Sequence, residues 1–148
     1  MAVTKEDKPT PNSSIDELIK MVKSNEGFRD KPYKCSVNKL TIGYGRNLTD
    51  KGITQAEGEY LLMNDIMEAM KDCASLFPTL SEFSERRRNV LIDMRFQLGL
   101  QGLLGFQRMI RAINNDDWQL AGEELMDSRY AQQTKGRANR NKEALQRG

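Results

Sequence analysis

The segment between residues 24 and 45 carries three side chains whose types could do chemistry. It reads SNEGFRDKPYKCSVNKLTIGYG and contains Glu26, Cys35 and Thr41. A glutamate can donate or accept a proton, and a cysteine thiolate is a nucleophile. The chain has no histidine, which excludes Ser-His-Asp and Cys-His catalytic systems and zinc sites that use histidine. Carboxylates and a thiol are the remaining chemistry, and we expect no metal and no cofactor.

The sequence around Glu26 predicts a helix followed by a small hairpin. Apolar residues recur at helical spacing over residues 15–25, and Gly27 supplies a stop signal. Aromatic and β-branched residues over 33–36 and 40–42 predict two short strands joined by a turn. Glu26 is therefore expected at the end of the helix, facing the hairpin.

The rest of the chain has the pattern of a helical bundle. Thr54 and Glu57 have the spacing of a capping box and begin the longest predicted helix, which ends before Pro78. Further helices are predicted from Ser84 to a stop at Gly99, and over residues 106–114, 117–126 and about 138–145. These elements predict an α+β fold that is mostly helical.

Length and composition predict one domain with a tail. A chain of 148 residues fits a single domain. Residues 1–13 are polar, contain two prolines and have no apolar run, so we expect a flexible tail there rather than a signal peptide or membrane anchor. Residues 14–148 are predicted to fold. The net charge of +2 argues neither for a nucleic-acid surface nor against an anionic cell-wall substrate.

The predicted cleft between the hairpin and the bundle suggests glycoside hydrolysis. This reaction needs a protonated carboxyl group for the leaving oxygen and a second group that positions or activates water. Glu26 could supply the first group, although a glutamate before a glycine is more often a solvated helix end. By residue type alone, Cys35 and Cys73 are more often small core side chains. A disulfide between them is not expected, because the two lobes separate them.

The combination of these residues is more specific than any one of them. Glu26, eight residues, Cys35, five residues and Thr41 lie in NEGFRDKPYKC and LTIGYGR, and this pattern resembles the T4-type phage lysozymes, which are glycoside hydrolases. The resemblance continues in order through MRFQLGLQGLLGF, DDWQLAGEEL and SRYAQQTKGRANR, at residues 94–106, 116–125 and 128–140. It covers nearly the whole chain after residue 15.

The resemblance implies a role for each residue of the motif. Glu26 would be the general acid, and Thr41 would hold the attacking water. Cys35 stands where most well-known members carry an aspartate. By residue type a core role is more common for Cys35, but its position in the motif, opposite a glutamate, favours the catalytic role.

The resemblance also implies three supporting residues in the helical lobe. Phe96 would stack on sugar faces, although an ordinary core position is nearly as consistent with its spacing. Gln97 would form a hydrogen bond near Glu26. Arg137 would approach Glu26 from the opposite lobe, with a solvated basic face as the alternative.

The family's fold is lysozyme-like, with a small β-containing lobe and a helical lobe joined by a long helix. Transferred to this chain, the small lobe spans about residues 24–53 and the connecting helix about 55–75. The helical lobe spans about residues 80–148 and would pack with the helix over 15–25.

Two positions depart from the family pattern. Arg46 stands where members often have a histidine, and an ion pair with Asp65 is a hypothesis for it; an exposed pair of this kind would contribute little to stability. Only residues 47–52 separate Arg46 from Ile53, which predicts a minimal hairpin lobe and a more open cleft on that side.

The resemblance implies an endolysin, a muramidase that cleaves the β-1,4 bond between N-acetylmuramic acid and N-acetylglucosamine and so lyses the host cell. Its partner would be the glycan strands of peptidoglycan, with no nucleic acid and no stable membrane insertion, and we expect a monomer. The enzyme would stay in the host cytoplasm until the inner membrane is opened, and would then act on peptidoglycan in the periplasm.

Two alternatives belong to other classes. The first is a peptidoglycan-binding relative that lost catalysis when cysteine replaced aspartate. The second is a small basic helical protein that binds nucleic acid through Arg86–Arg88, which are predicted to face solvent, and KGRANRNK at residues 135–142. No recognised DNA-binding motif supports the second alternative.

Overall fold

The computed structural model describes residues 13–148, with side chains from residue 15 onward. The predicted tail therefore lies, but for its last residue, outside the described residues. The elements in chain order are α1 (Ser13–Glu26), β1 (Arg29–Lys34), β2 (Leu40–Gly43), β3 (Arg46–Asn47), α2 (Gln55–Leu76), α3 (Glu85–Leu104), α4 (Gln107–Asn114), α5 (Trp118–Met126), α6 (Arg129–Gln133) and α7 (Lys135–Arg147), with a short 3₁₀ helix at Leu80–Glu82. The predicted mostly helical α+β fold is confirmed.

The contacts within the chain divide it into two compact units, residues 1–57 and residues 58–148. The described part of the first unit contains α1, the sheet and the first turn of α2. The second contains the rest of α2 and the helices that follow it. The predicted packing of the first helix against the helical lobe stays a prediction.

The sheet of the first unit has three antiparallel strands in the order β1-β2-β3. The prediction for the first strand was wrong, because β1 begins at Arg29 and ends at Lys34. Pro32 is tolerated because β1 is an edge strand, and the register is irregular between Arg29 and Tyr33. The two residues of β3 were not predicted. Cys35 therefore lies in the turn that follows β1 rather than inside a strand.

The second unit is built around one hydrophobic core. Fully buried side chains from α2 to α7 form it: Cys73, Phe77, Leu91, Met94, Leu103, Met109, Ile113, Leu125 and Leu145. The predicted stop in the central helix is present as a break, since Gly99 has a left-handed φ of 73° and the chain resumes a helix that ends at Leu104. The Ser84 hydroxyl accepts a hydrogen bond from the Arg87 amide at 3.2 Å and caps α3.

The prediction that Arg86–Arg88 face solvent is correct for Arg86 only. Arg87 lies 4.1 Å from the centre of the Trp118 ring and donates from Nε to the Leu145 carbonyl at 2.8 Å. Arg88 donates to the Phe83 carbonyl oxygen. Half-burial of these two guanidinium groups is possible because aromatic and carbonyl partners replace water.

The start of α2 is fixed by a capping box that also binds Arg46. The Thr54 hydroxyl accepts from the Glu57 amide at 3.1 Å, and Glu57 Oε1 accepts from the Thr54 amide at 3.1 Å, as predicted. Glu57 Oε2 also lies 2.7 Å from Arg46 Nη1. Arg46 therefore pairs with Glu57, whereas the sequence suggested Asp65, because the capping box already directs the Glu57 carboxylate toward the sheet.

This pair should make folding stability depend on pH. The Arg46 guanidinium, with smaller contributions from the Thr54 amide and hydroxyl, lowers the pKa of Glu57 to about 2. A lowered pKa stabilises the folded state fully above the ordinary glutamate pKa of about 4.3, and this contribution is lost as the pH falls toward 2. Glu57→Gln keeps a capping acceptor but removes the charge. We expect it to lower the Tm at pH 6 and to match the wild type near pH 2.

Glu17→Gln is the matched control, since Glu17 pairs with Lys20 at an exposed site where ion pairs contribute little. Thermal unfolding followed by circular dichroism between pH 2 and pH 7 measures both. A Glu57→Gln variant with a wild-type Tm at pH 6 would contradict the expected contribution of the pair.

Candidate active site

The end of α1 places the Glu26 carboxylate against a turn of the sheet. The Gly27 amide donates to the Lys23 carbonyl at 2.9 Å, and Gly27 ends the helix with a φ of 69°. Gly45, between β2 and β3, has a φ of 83°, and a Cβ on it would lie only 3.0 Å from Glu26 Oε2. A larger residue at position 45 would have to push the carboxylate aside, and the positive φ also favours glycine at this turn. The helix end and the sheet are therefore in direct contact at Glu26.

Cys35 and Thr41 come together through the pairing of β1 and β2. Tyr33 pairs with Thr41, and the Cys35 amide donates to the Lys39 carbonyl at 3.0 Å in the turn beyond the strands. The Thr41 hydroxyl also forms a side-chain hydrogen bond with the Cys35 thiol, so the two side chains are in contact. Cys35 is partly exposed, whereas Thr41 is only 5% exposed.

The turn from Cys35 to Lys39 forms a small anion-binding arrangement around the thiol. The backbone N–H of Lys39 lowers the pKa of Cys35 most, and the Val37 N–H and the Thr41 hydroxyl add to this, while burial opposes it. Asn38 permits the turn with a left-handed φ of 63°, and its amide donates to the Cys35 carbonyl at 2.9 Å. The site thus favours the thiolate, the reactive form of cysteine.

The Thr41 hydroxyl has two possible acceptors. Its Oγ1 lies 2.9 Å from the Lys39 carbonyl oxygen, and it also contributes to the lowered pKa of Cys35. A hydroxyl has one proton to donate but can accept two hydrogen bonds. A proton given to Lys39 or to the thiolate therefore leaves the Thr41 lone pairs available for a water molecule.

The three supporting residues predicted by the resemblance belong to the second unit. Phe96 is 43% exposed and Gln97 is exposed, both on α3 just before the break at Gly99. Phe96 is not part of the buried core, so the core alternative for this residue is wrong. The roles of Phe96 and Gln97 toward substrate stay predictions.

Arg137 has a partner that sequence reasoning missed. Its Nη2 donates to both carboxylate oxygens of Asp93, at 2.8 and 2.7 Å, and this contact raises the pKa of Arg137. Arg137 is thus paired with a carboxylate rather than free on a basic face, and its side chain is 35% exposed. No local spacing signal links two residues 44 positions apart. The predicted approach of Arg137 to Glu26 joins the two units and stays a prediction.

Cys73 has the core role that the sequence suggested. It is fully buried, and its thiol donates to the Leu91 carbonyl at 3.5 Å. Burial raises the pKa of Cys73 to about 11, so this thiol is protonated at neutral pH. Both cysteines are free thiols in the structure.

Comparison with known proteins identifies the class. Residues 23–144 match the phage lysozyme family model, and the chain belongs to that family. It is 27% identical to a probable T4-type lysozyme 1 of Dictyostelium discoideum, over 85% of this chain and 91% of that protein. The resemblance to the T4-type lysozymes is thereby confirmed.

Two further relatives are longer proteins. The chain is 27% identical to an endolysin of Bacillus phage B103, over 73% of this chain and 42% of that protein. It is 28% identical to the pre-baseplate central spike protein Gp5 of Enterobacteria phage T4, over 89% of this chain but only 28% of the spike protein. The chain thus spans nearly all of the Dictyostelium lysozyme but less than a third of the spike protein.

Family membership supports a lysozyme-like glycoside hydrolase and implies peptidoglycan as the substrate class. Across residues 13–148, no helix combines the length and apolar character needed to span a membrane. In the same part of the chain, no group of three or more Cys, Asp and Glu side chains is placed to hold a metal ion.

The two thiols should differ in their reaction with iodoacetamide. In the folded protein we expect Cys35 to be alkylated and Cys73 to stay unmodified, with a pH midpoint for Cys35 below that of the same cysteine in the unfolded chain. Thr41→Val should raise this midpoint, because a hydrogen bond to the thiolate is lost. Peptide mass spectrometry after timed labelling gives both rates. Equal midpoints in the folded and unfolded chain would rule out the stabilised thiolate.

Proposed function

We propose that this protein is an endolysin that acts as a muramidase and hydrolyses the β-1,4 bond between N-acetylmuramic acid and N-acetylglucosamine in peptidoglycan. The observation that carries the proposal is the contact between the Glu26 carboxylate and Gly45, in the same compact unit as the Cys35–Thr41 pair. Membership in the phage lysozyme family supports it.

Glu26 is the general acid of the proposed reaction. It gives its proton to the glycosidic oxygen as the bond to the anomeric carbon breaks, so that the leaving sugar departs as a neutral alcohol. Its position at the end of α1, against a turn without side-chain bulk at Gly45, leaves the carboxyl group accessible to a bulky saccharide.

Cys35 and Thr41 activate the water. Water attacks the anomeric carbon, the Cys35 thiolate accepts one of its protons, and the Thr41 hydroxyl orients its oxygen. This sequence of steps inverts the anomeric configuration. Direct attack by the thiolate would instead retain it, but Sγ lies only one bond beyond Cβ, which leaves room for water in front of it.

The proposal also includes the biological setting of this reaction. The enzyme acts as a monomer on peptidoglycan strands in the periplasm, after residence in the host cytoplasm, and the result is bacteriolysis. A nucleic-acid-binding role is less well supported, because Arg87 and Arg88 of the basic run already bond to protein carbonyl oxygens.

Glu26→Gln should abolish most of the activity. The amide keeps the size of the side chain but has no proton to transfer, and general acid catalysis contributes about 10²–10⁴-fold to such reactions. We expect a loss of at least about 100-fold in the rate of sugar release from purified peptidoglycan, with an unchanged circular dichroism spectrum. Mass spectrometry of the released sugars identifies the cleaved bond. A product without a muramic acid reducing end would disprove the muramidase assignment.

Variants at Cys35 distinguish a catalytic role of this residue from a structural role. Cys35→Asp should stay active, because a carboxylate can also accept the proton of water, whereas Cys35→Ala should lose most of the lytic rate. Iodoacetamide should inactivate the wild type but spare Cys35→Asp. Turbidity of chloroform-treated Gram-negative cells measures lysis, and Cys73→Ala is the control for the second thiol. A wild-type lytic rate for Cys35→Ala would return Cys35 to a structural role.

A further inference from the structure

The first unit exposes a pair of aromatic rings beside Glu26. Phe28 is 63% exposed and Tyr44 is 44% exposed, and their ring centres lie 5.2 Å apart with an angle of 47° between the planes. Rings of this size mostly lie inside proteins, and an exposed apolar cluster next to polar groups marks a binding surface. The pair therefore has an unfilled apolar face.

Phe28 and Tyr44 are each close in sequence to a residue of the Glu26 site. Phe28 follows Glu26 by two residues, and Tyr44 directly precedes Gly45, whose backbone lies against the Glu26 carboxylate. Lys23, one helical turn before Glu26, holds its Nζ 5.4 Å from the centre of the Tyr44 ring. Tyr44 thus has a partner on α1, and the residue that follows it lies against the Glu26 carboxylate.

The polar end of Tyr44 is also available to a ligand. Within residues 13–148 its hydroxyl group makes no hydrogen bond. Binding sites for small polar molecules combine aromatic surface with a few polar groups that fix orientation. An N-acetylhexosamine fits this combination, because its ring carbons and acetamido methyl group are apolar whereas its hydroxyl and amide groups are polar.

We propose that Phe28 and Tyr44 form a stacking platform for one N-acetylhexosamine ring of the glycan strand, next to the bond that Glu26 protonates. This inference rests on the proposed function. The two tilted rings offer separate faces to the sugar ring and to its acetamido methyl group. The Lys23 ammonium group lies beside the platform, where it can meet a carboxylate of the attached peptide.

The test measures binding without turnover. In a Glu26→Gln background, isothermal titration with a soluble, uncross-linked peptidoglycan fragment gives the Kd. We expect Phe28→Ala and Tyr44→Ala each to raise the Kd about 5-fold and the double variant to raise it more than 10-fold, since aromatic contacts of this size contribute about one factor of ten. The Phe28→Trp variant should bind the peptidoglycan fragment as tightly as the protein that keeps Phe28.

Two further variants test whether the change in Kd depends on the aromatic rings of the platform. Phe28→Leu keeps apolar bulk without an aromatic face and should weaken binding as Phe28→Ala does. Tyr60→Ala removes an aromatic side chain that is 54% exposed on α2, outside the platform, and should leave the Kd unchanged. In the active enzyme, the platform variants should raise KM with little change in kcat, because stacking acts on the bound sugar in both the ground state and the transition state.

The outcomes separate this inference from the proposed function. An unchanged Kd in the double variant, or full binding by Phe28→Leu, would overturn the platform even if the wild type hydrolyses peptidoglycan. A wild type that binds the fragment through the platform but releases no sugar would overturn the muramidase and keep the platform.

Discussion

The close contact between Glu26 and Gly45 is the constraint on which the rest of the candidate site depends. A side chain at position 45 would meet the carboxylate at 3.0 Å, which is shorter than normal contacts of Cβ atoms, and would also have to adopt a left-handed backbone. Gly27 imposes the same backbone requirement at the end of α1. The two glycines thus allow one acid to project from a helix end directly onto a sheet turn. This contact also brings Tyr44 to the edge of the site.

The turn after β1 explains how a cysteine could serve at the position where the resemblance to the T4-type lysozymes implies an aspartate. The N–H groups of Lys39 and Val37 point to the side chain at position 35, and such donors stabilise any anion placed there, whether carboxylate or thiolate. The turn therefore favours a negatively charged side chain at position 35, whether the charge is on oxygen or on sulfur. A thiolate differs from a carboxylate in that only a small fraction forms at neutral pH unless the surroundings lower the pKa of the thiol, which these donors do. The second cysteine, Cys73, shows the opposite case, since burial, with a smaller contribution from the Asp72 charge, raises its pKa.

Local sequence signals predicted the helices well, because each acts over a few residues. The Thr54–Glu57 capping box and the break at Gly99 are examples, since both depend on backbone groups within one turn. The start of β1 was missed because its first four residues, Arg29–Pro32, include no aromatic or β-branched side chain. The pairings Arg46–Glu57, Asp93–Arg137 and Phe28–Tyr44 were missed because they join residues 11, 44 and 16 positions apart. Such contacts are defined only when the fold brings the side chains together.

The Asp93–Arg137 ion pair bears on the role that the resemblance implies for Arg137. A cation close to a general acid favours the ionised carboxylate, whereas the reaction needs the carboxyl group protonated. The guanidinium group of Arg137 already gives two short hydrogen bonds to Asp93, so a large part of its charge is compensated within its own unit. An arginine held in this way keeps free donors for sugar hydroxyl or carboxylate groups of a substrate. Held in this way, Arg137 would also lower the pKa of a nearby carboxyl group less than an unpaired arginine would, which is the condition that the role implied by the resemblance requires.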